Sequence, residues 1–485
     1  GTSATITGGS LGEGFDVFNG GSAQVSGGNF GRDFDVSSGS SVQLVGGAFA
    51  LDGVPFTPDP AIPVGPDVEV LSGVLADGTP IVLSTINGDL LRNVTLTTAA
   101  LPTYDTTPIV VDGATAATPR GLRDGQSLTL RDGGTLVEGF AALGATVNVE
   151  GGLIGNSFEF IDTAFEMSAG NVGEAVVAYG ASTLAVTGGV FEGDVTVGGA
   201  SALAITGGEV VGELELIDNA SATIGGDVVI DLLNAGAGSV LDVSGGQFER
   251  FDAFDGSIVE ISGGTFGDDF DAFSGSNVNL FGSGFALDGV PIEGLIPGQA
   301  FTVDTREVRL TGLFSSGEAF DFDLGQFGSP GPAFFSASAL LTVTLDTILG
   351  DFDADGDVDA DDIDLLFDNL GNPTFDLTGD ATTDQADIDK LIGNILNTFP
   401  GDANLDGQVG TADLAILAGN FNQSARGWAT GDFNGDDTVD TGDLAILAGS
   451  FGQGTPPVEV AAVPEPASLA LLGLGGLVVT QRRRR

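Results

Sequence analysis

The chain has 485 residues, of which 42% are hydrophobic, so it is long enough for more than one domain with a substantial core. It carries 68 acidic residues against 14 basic ones, and the net charge of −54 excludes nucleic acid as a partner. It has no Cys, no His and a single Lys, Lys390, which excludes disulfides, thiolate chemistry and most zinc or nucleophile sites. Such an acidic surface needs cations to screen or bind it, and calcium or salt is the expected companion.

The first 345 residues are rich in Gly, Thr, Val and Ser, which favours short strands joined by tight turns. An apolar anchor followed by a polar stretch and a Gly pair recurs there every 18 or 19 residues. The anchors are Ile6, Val25, Leu44, Leu130, Val149, Met167, Val186, Ile205, Ile224, Val243, Ile261 and Leu280. The pattern predicts a mainly β fold, a parallel β-solenoid with coils of about 19 residues. The Phe residues expected to stack inside it are Phe30, Phe49, Phe248, Phe266 and Phe285.

The handedness of the solenoid has two alternatives, left-handed and right-handed. A left-handed hexapeptide helix also has coils of 18 residues, but the six-residue subperiod that it requires is not visible in this sequence. A right-handed parallel β-helix is therefore favoured. In this respect the repeat region resembles those of right-handed β-helix and autotransporter-type proteins.

A larger repeat divides the solenoid region into two modules. The segment from Phe49 to Pro55 returns from Phe285 to Pro291, and in both copies an Asp-Gly turn followed by Pro breaks the period. We therefore expect each module to be a set of coils followed by a β cap, with modules at 1–104 and 105–345. The first module has few coils and is preceded by no Met or signal peptide, so we expect it to lack N-terminal coils.

Beyond residue 345 the chain changes to Asp-rich loops, and four of them place oxygen-bearing side chains at loop positions 1, 3, 5 and 12, with further ones at position 7 or 9. The first comprises Asp351, Asp353, Asp355, Asp357, Asp359 and Asp362, and the second Asp376, Thr378, Asp380, Asp384 and Asp387. The third comprises Asp402, Asn404, Asp406, Gln408 and Asp413, and the fourth Asp432, Asn434, Asp436, Thr438, Asp440 and Asp443. Calcium takes six to eight oxygen ligands, and this spacing folds them around one point. The loops therefore predict up to four Ca²⁺ ions.

Position 6 of such a loop needs a left-handed backbone, which Gly adopts most easily. Gly356 meets this need in the first loop, whereas Ala381 and Asp437 stand there in the second and fourth. In the third loop Gly410 occupies position 9, which is often filled through a water molecule. The alternative interpretation is a set of solvated Asp-rich turns that hold no metal.

Each of the last two loops runs into the same apolar segment, at 412–421 and at 442–451. This pattern resembles the type I dockerin repeat, an EF-hand-like loop that ends in Asp and is followed by one helix. The resemblance covers about 350–453 and implies calcium-dependent folding, with one dockerin-like pair at 346–400 and another at 401–454. Some members of the family dock to a cohesin module. The pairs Ala360–Asp361 and Thr411–Ala412 depart from the usual recognition pairs, so a cohesin partner stays an open alternative.

Residues 455–485 have the organisation of a sorting signal. A linker leads to Pro464, Glu465 and Pro466, an apolar run extends from Ala467 to Thr480, and the end is Arg482, Arg483, Arg484 and Arg485. This segment resembles a PEP-CTERM signal, which implies cleavage by an exosortase-type enzyme. The run is shorter than the 20 residues of a permanent span, so we expect transient anchoring, with the Arg cluster on the cytoplasmic side. A simple C-terminal anchor helix is the alternative.

Two functions are compatible with these features. The first is a secreted, non-catalytic structural, adhesive or matrix protein at the cell surface. The second is a β-helix enzyme, a polysaccharide lyase or glycosidase, with carboxylates in Asp16 and Asp35, in Asp252 and Asp271, or in Asp268 and Asp269. These Asp residues stand in repeated motifs that are typical of turns at the corners of the coils. A lyase would also need clustered basic residues, and only Arg120, Arg123 and Arg131 lie near one another in the sequence. The non-catalytic function is therefore favoured, with an extracellular polysaccharide as a further possible partner.

Overall fold

The structure of the protein, a computed structural model, describes most of residues 1–454. Not described are residues 13, 59–61, 66–67, 86–88, 90, 116, 326–333, 347, 354–356 and 455–485, and of residues 268, 269 and 334 only the backbone is described. The chain divides into two units, of which Gly1–Asp346 is the first and the residues after it form the second.

The first unit is mainly β, and its described strands form one sheet of eight strands, one of two and one of 25. The strands before residue 100 are β1 (Ser3–Ser10), β2 (Asp16–Val17), β3 (Ser22–Asn29), β4 (Asp35–Val36), β5 (Ser41–Leu51), β6 (Val54–Phe56), β7 (Ile62–Pro63), β8 (Val70–Leu75), β9 (Pro80–Ser84) and β10 (Val94–Thr98). Of these, β2 pairs with β4, and the other eight form the eight-stranded sheet.

The sheet of 25 strands contains all the strands that follow. The first of them are β11 (Ile109–Val111), β12 (Gly121–Leu122), β13 (Ser127–Leu130), β14 (Thr135–Leu136), β15 (Ala141–Leu143), β16 (Thr146–Ile154), β17 (Phe158–Ile161), β18 (Ala164–Val172), β19 (Val176–Tyr179), β20 (Thr183–Val186), β21 (Val190–Phe191), β22 (Val195–Val197), β23 (Ala202–Ile205), β24 (Glu209–Leu216), β25 (Ser221–Ile224) and β26 (Val229–Ala235). The remaining ones are β27 (Val240–Ala253), β28 (Ile258–Ala272), β29 (Asn277–Leu287), β30 (Val290–Pro291), β31 (Ala300–Thr302), β32 (Arg309–Phe314), β33 (Ala319–Asp323), β34 (Phe334–Phe335) and β35 (Leu340–Leu345).

The predicted anchors form two continuous columns of parallel partners. In the second repeat region Leu130 pairs with Val149, and the column continues through every predicted anchor to Ile261 and Leu280. In the first, Ile6 pairs with Val25 and Val25 with Leu44. The β-solenoid of about 14 turns with 19-residue spacing is thereby confirmed. Its right-handed sense stays a prediction.

The Phe residues fill the interior, and more of them take part than the period alone indicates. Phe30, Phe49, Phe248 and Phe285 are buried as predicted, whereas Phe266 is only partly buried. Phe248 stacks on Phe266 with 5.1 Å between ring centroids. A second column, Phe251 on Phe270, was not predicted, and its rings lie 4.6 Å apart. The one-residue difference between the two coils is taken up by a register shift just after Phe248.

The caps are placed differently from the prediction of coils followed by a cap. After the first cap, β10 returns to the solenoid and Leu96 pairs with Leu44. After the second cap, β35 returns and Val343 pairs with Leu280. Each cap is therefore an insertion within the last coil, built from antiparallel strands such as β8 with β9 and β32 with β33. The insertion interrupts the period, which is why the anchors Leu96 and Val343 escaped the sequence pattern.

The outer faces of the two caps differ in polarity, although their strands pair in the same way. On the first cap Val70 and Val82 are buried against Ala141, Ile161 and Tyr179 of the second repeat region. On the second cap the corresponding positions are Arg309 and Asp321, which form an exposed ion pair at 2.6 Å. The first cap thus joins the two repeat regions through an apolar contact, while the second cap has a polar face.

The second unit contains the described helices. They are α1 (Ala360–Asp368), α2 (Gln385–Lys390), α3 (Thr411–Asn420) and α4 (Thr441–Ser450), with short 3₁₀ turns at Pro373–Phe375 and Trp428–Thr430 and a π turn at Leu391–Ile395. One hydrophobic cluster draws residues from both predicted loop pairs, including Ile363, Leu391, Leu417, Trp428 and Leu447.

Replacing Phe270 by Ala tests the aromatic column. Phe270 is fully buried and contacts the rings of Phe251, Phe322 and Phe335 at 4.6 to 5.1 Å, so its loss should cost about 3 to 5 kcal/mol of unfolding free energy. The matched control is Phe254→Ala, because Phe254 is only half-buried and stacks on Phe273 at 4.8 Å. That change should cost about 1 kcal/mol. Urea unfolding followed by far-ultraviolet circular dichroism at fixed calcium measures both, and equal losses would contradict the assignment of an interior column.

Candidate metal centre

In each of the four loops the buried Asp at position 12 links the start of the loop to its end. Asp362, Asp387, Asp413 and Asp443 are at most 1% exposed. In each case one carboxylate oxygen accepts the N–H of position 2, and the other accepts the N–H of position 9. The pairs are Phe352 and Asp359 on Asp362, Leu377 and Asp384 on Asp387, Ala403 and Gly410 on Asp413, and Phe433 and Asp440 on Asp443, at 2.6 to 3.0 Å. The four loops therefore share one frame.

Positions 9 and 12 also form the N-terminus of the helix that follows each loop. Position 9 is the N-cap, and position 12 lies in the first turn and bonds back to the N-cap backbone, which is a capping box. Asp359, Asp384 and Asp440 also accept a backbone N–H two residues further on, at 2.6 to 2.8 Å. Gly410 has no side chain to do this, so the third helix begins with one capping bond fewer.

Backbone N–H groups also hold the position 1 carboxylate in the second, third and fourth loops. Asp376 accepts the N–H groups of Gly379 and Ala381 at 2.7 Å. Asp402 accepts that of Gly407 at 2.8 Å, and Asp432 that of Gly435 at 3.0 Å. The loop therefore curls around the position 1 carboxylate, as the spacing predicts.

Position 6 adopts the left-handed backbone in the three loops where the structure describes it. The φ angles are +69° at Ala381, +81° at Gly407 and +65° at Asp437. Ala381 carries the strain that this conformation causes for a side chain with a Cβ, whereas Gly407 does not. Gly356, at position 6 of the first loop, lies outside the described residues.

Positions 3 and 5 are linked to each other in the third and fourth loops. Asn404 donates to Asp406 and Asn434 donates to Asp436, both at 3.1 Å. Position 5 also accepts the backbone N–H of position 7, so that Thr382, Gln408 and Thr438 donate to Asp380, Asp406 and Asp436. In the second loop the Thr378 hydroxyl instead donates to Asp376 at 3.2 Å.

The first loop brings three carboxylates together. Oxygen atoms of Asp351, Asp353 and Asp362 all lie within 4.8 Å of one another. Within the described residues this is the one such group of three acidic side chains. Asp355 is outside the described residues. The other loops place an Asn or a Thr at position 3, so they bring together fewer carboxylates.

Burial raises the pKa of the position 1 carboxylate in the third and fourth loops, whereas the hydrogen bonds of Gly379 and Ala381 lower the pKa of Asp376 in the second. The pKa of Asp402 lies above its ordinary value because of burial, although the Thr398 hydroxyl and the Gly407 N–H oppose that rise. Burial also raises the pKa of Asp432, and the charge of Asp443 adds to the effect. The loops thus gather negative charge in places that water does not fully solvate. A divalent cation would remove this repulsion.

The two loops of each pair pack against each other's helices through Gly. A Cβ on Gly401, just before the third loop, would lie 2.8 Å from Cα of Leu447 on α4. A Cβ on Gly431, just before the fourth loop, would lie 2.9 Å from Cα of Leu417 on α3. In the first pair, Gly350 approaches Leu391 in the same way, at 2.8 Å. No larger residue fits at these three positions without a shift.

The carboxylates considered for catalysis lie in repeated register columns. Asp16 pairs with Asp35 and Asp252 pairs with Asp271, one coil apart. The side chains of Asp268 and Asp269 are not described. The three Arg residues do not converge, since Arg123 covers the Tyr104 ring at 4.0 Å, Arg131 pairs with Glu150 at 3.0 Å, and the Arg120 carbonyl accepts a bond from Asn29. A different basic residue, Arg250, lies in register with Asp269, and its guanidinium is 4.0 Å from the carboxylate of Asp231.

The tail was compared with models of known families. Residues 462–485 match the model of the PEP-CTERM protein-sorting motif. The PEP-CTERM motif confirms the resemblance drawn from Pro464, Glu465, Pro466 and the four terminal Arg residues, which lie outside the described part of the chain. It marks a secreted, surface-sorted protein that is anchored in the membrane by its C-terminus before an exosortase-type enzyme processes it. No curated protein and no solved structure matches the chain.

Among the described helices, none has the length and apolar character needed to cross a membrane.

Sequence reasoning missed two features of the loops. One is the Thr398 hydroxyl, which donates to the Asp402 carboxylate from before the third loop. The other is the contact of Trp428 with Asp364, which no spacing rule predicts. The sequence offered one indication of the Trp428 contact, since Trp428 is the single Trp of the chain.

The strain at Ala381 yields a prediction about the second loop. Ala381→Gly should raise the unfolding free energy of the second unit by about 1 kcal/mol, because Gly adopts the left-handed conformation without strain. The control is Ala415→Gly on the exposed side of α3, which should lower it by about 1 kcal/mol. Denaturant unfolding followed by the fluorescence of Trp428 measures both. A loss of stability in Ala381→Gly similar to that in the control would contradict the assignment of strain.

Proposed function

We propose that this protein is a non-catalytic structural component of the cell surface or extracellular matrix, and that its second unit binds calcium. The observation that carries the proposal is the frame shared by all four loops. In each of them backbone N–H groups of the loop hold a buried position 12 carboxylate, and in the second, third and fourth loops such groups also hold the position 1 carboxylate. In the first loop three carboxylates approach within 4.8 Å. The PEP-CTERM motif supplies the route to the surface.

The donor set fits calcium better than other metals. The loops offer carboxylate, amide, hydroxyl and backbone oxygens, and the chain has no Cys or His for a softer metal. The residues that would hold the ions are those at positions 1, 3, 5, 9 and 12, with the position 7 carbonyls of Asp357, Thr382, Gln408 and Thr438. The second and third loops should bind more weakly, because one has Thr378 at position 3 and the other has Gly410 at position 9. The bound ion would neutralise the charge inside each loop.

The helices that follow the loops support a dockerin-like organisation. Each loop is followed by one helix or helical turn, and α3 and α4 have nearly the same sequence. On this proposal calcium keeps the second unit folded, and the two pairs at 346–400 and 401–454 are the dockerin-like repeats. A cohesin module is the partner that the resemblance implies.

The solenoid serves on this proposal as a rigid, acidic display surface. Exposed acidic residues lie in register from coil to coil, as Asp242 does with Glu260. Strands of neighbouring coils are about 4.8 Å apart, so like charges stacked at this distance repel unless cations screen them. A matrix rich in calcium provides such cations, and extracellular polysaccharide is a further ligand for this face.

A calcium titration of the full chain by calorimetry tests the proposal. We expect three or four ions per chain, and a loss of helix by circular dichroism when a chelator is added. Asp436→Ala should remove one ion, because Asp436 is a position 5 ligand of the fourth loop. The matched control is Asp368→Ala, an exposed acidic residue on α1 that belongs to no loop, and it should keep the full number.

Two outcomes would contradict the proposal. One is the absence of calcium binding at millimolar calcium with a folded protein. The other is an equal loss of binding in Asp436→Ala and Asp368→Ala, since this would mean that the ions respond to net charge alone.

A further inference from the structure

Trp428 lies where three of the loops meet. Its side chain is fully buried, and its indole Nε1 donates to the carbonyl of Asp402 at 2.7 Å. Its ring packs edge-on against Phe433, with 5.1 Å between ring centroids. Its backbone N–H donates to the carboxylate of Asp364, also at 2.7 Å. One residue thus bonds or packs against three separate segments of the second unit.

Each of these segments belongs to a different loop. Asp402 is position 1 of the third loop, and Phe433 is position 2 of the fourth, whose N–H donates to Asp443. Asp364 lies on α1, two residues after Asp362 of the first loop. Trp428 therefore connects the first loop pair with both loops of the second pair.

Two close approaches leave little freedom in this contact. A Cβ on Gly427 would lie 1.9 Å from the carboxylate of Asp364, and a Cβ on Gly435 would lie 2.4 Å from the Phe367 ring. Gly435 is in the fourth loop, and Phe367 is on the helix that follows the first. The first helix therefore packs directly against the fourth loop, and a change in the order of one changes the surroundings of the other.

We propose that Trp428 and Asp364 are positioning residues that couple calcium binding at the first loop to binding at the third and fourth. The inference rests on the proposed calcium function. Binding at one loop orders the backbone that its position 12 carboxylate holds, and through Trp428 this favours the ordered form of the other two. Such coupling between sites is typically on the order of tenfold in affinity, and it is reciprocal.

The test is a double-mutant cycle on the full chain, with calcium alone as the titrant. In the wild-type chain, removing the fourth site by Asp436→Ala should weaken calcium at the remaining sites about tenfold. In an Asp364→Ala background, which lacks the acceptor for the Trp428 N–H, adding Asp436→Ala should cause no further weakening at the first loop. Asp364→Asn keeps an oxygen acceptor and should restore the coupling. Trp428→Phe removes the Nε1 donor and should also abolish it, while Asp368→Ala should leave it intact.

The fluorescence of Trp428 gives a second measurement that does not depend on affinity alone. In the wild-type chain its emission should change in a single transition, over the same range of calcium concentration as the heat measured by calorimetry. In Asp364→Ala the transition should separate into two. Circular dichroism in saturating calcium shows whether each variant is folded, and Asp364→Asn serves if Asp364→Ala is not.

The two proposals fail in different ways. If the wild-type chain binds no calcium, the proposed function is wrong and the coupling with it. If it binds the expected ions but Asp436→Ala weakens the remaining sites equally in the wild-type and Asp364→Ala backgrounds, the coupling through Trp428 is wrong and the calcium function stands.

Discussion

The structure depends on the in-register parallel pairing of coils of 18 or 19 residues. Within the paired strands each residue lies beside its register partner one coil away, so a side chain is acceptable only if it tolerates that neighbour. Apolar anchors and Phe rings meet this condition in the interior. Gly meets it where backbones approach, since a Cβ on Gly226, with φ of +64°, would lie 2.1 Å from the Thr206 carbonyl oxygen.

The same constraint explains the charge. Outward Asp and Glu residues recur in columns, so a chain built from such coils accumulates negative charge as it lengthens, and the Asp-rich loops add to it, to −54 for the whole chain. The second unit handles its carboxylates differently. It buries the four position 12 carboxylates, which accept backbone N–H groups, and also the position 1 carboxylates Asp402 and Asp432, whose pKa burial raises and which therefore gain most from a cation. On our proposal, calcium therefore acts on the loop unit.

The repeating part of the fold could be predicted from the sequence because it is local and periodic. Twelve anchors were placed by spacing alone, and each pairs with its neighbour in the column as predicted. Spacing also predicted the left-handed turn at position 6 of the loops, including Ala381. The return of β10 and β35 after the caps could not be predicted, because a long insertion hides the period.

Contacts between distant segments could not be predicted either. The apolar face of the first cap and the junction around Trp428 each join residues far apart in sequence, such as Val82 with Ile161 and Asp364 with Trp428. No periodicity marks such pairs, and their chemistry is visible only when the fold brings them together. The proposed calcium ligands were predictable in part. The spacing identifies the loops, while the binding of calcium to them stays a proposal.

Hydrogen exchange of the full chain, measured segment by segment with calcium and with a chelator, tests the central claim most directly. The account predicts that amides in 357–454 lose protection when calcium is removed, because the loop frames open. Amides in the columns from β11 to β29 should keep theirs, because pairing and the apolar core hold them without metal. Unchanged protection in the loops, or a loss spread equally over the solenoid, would contradict it.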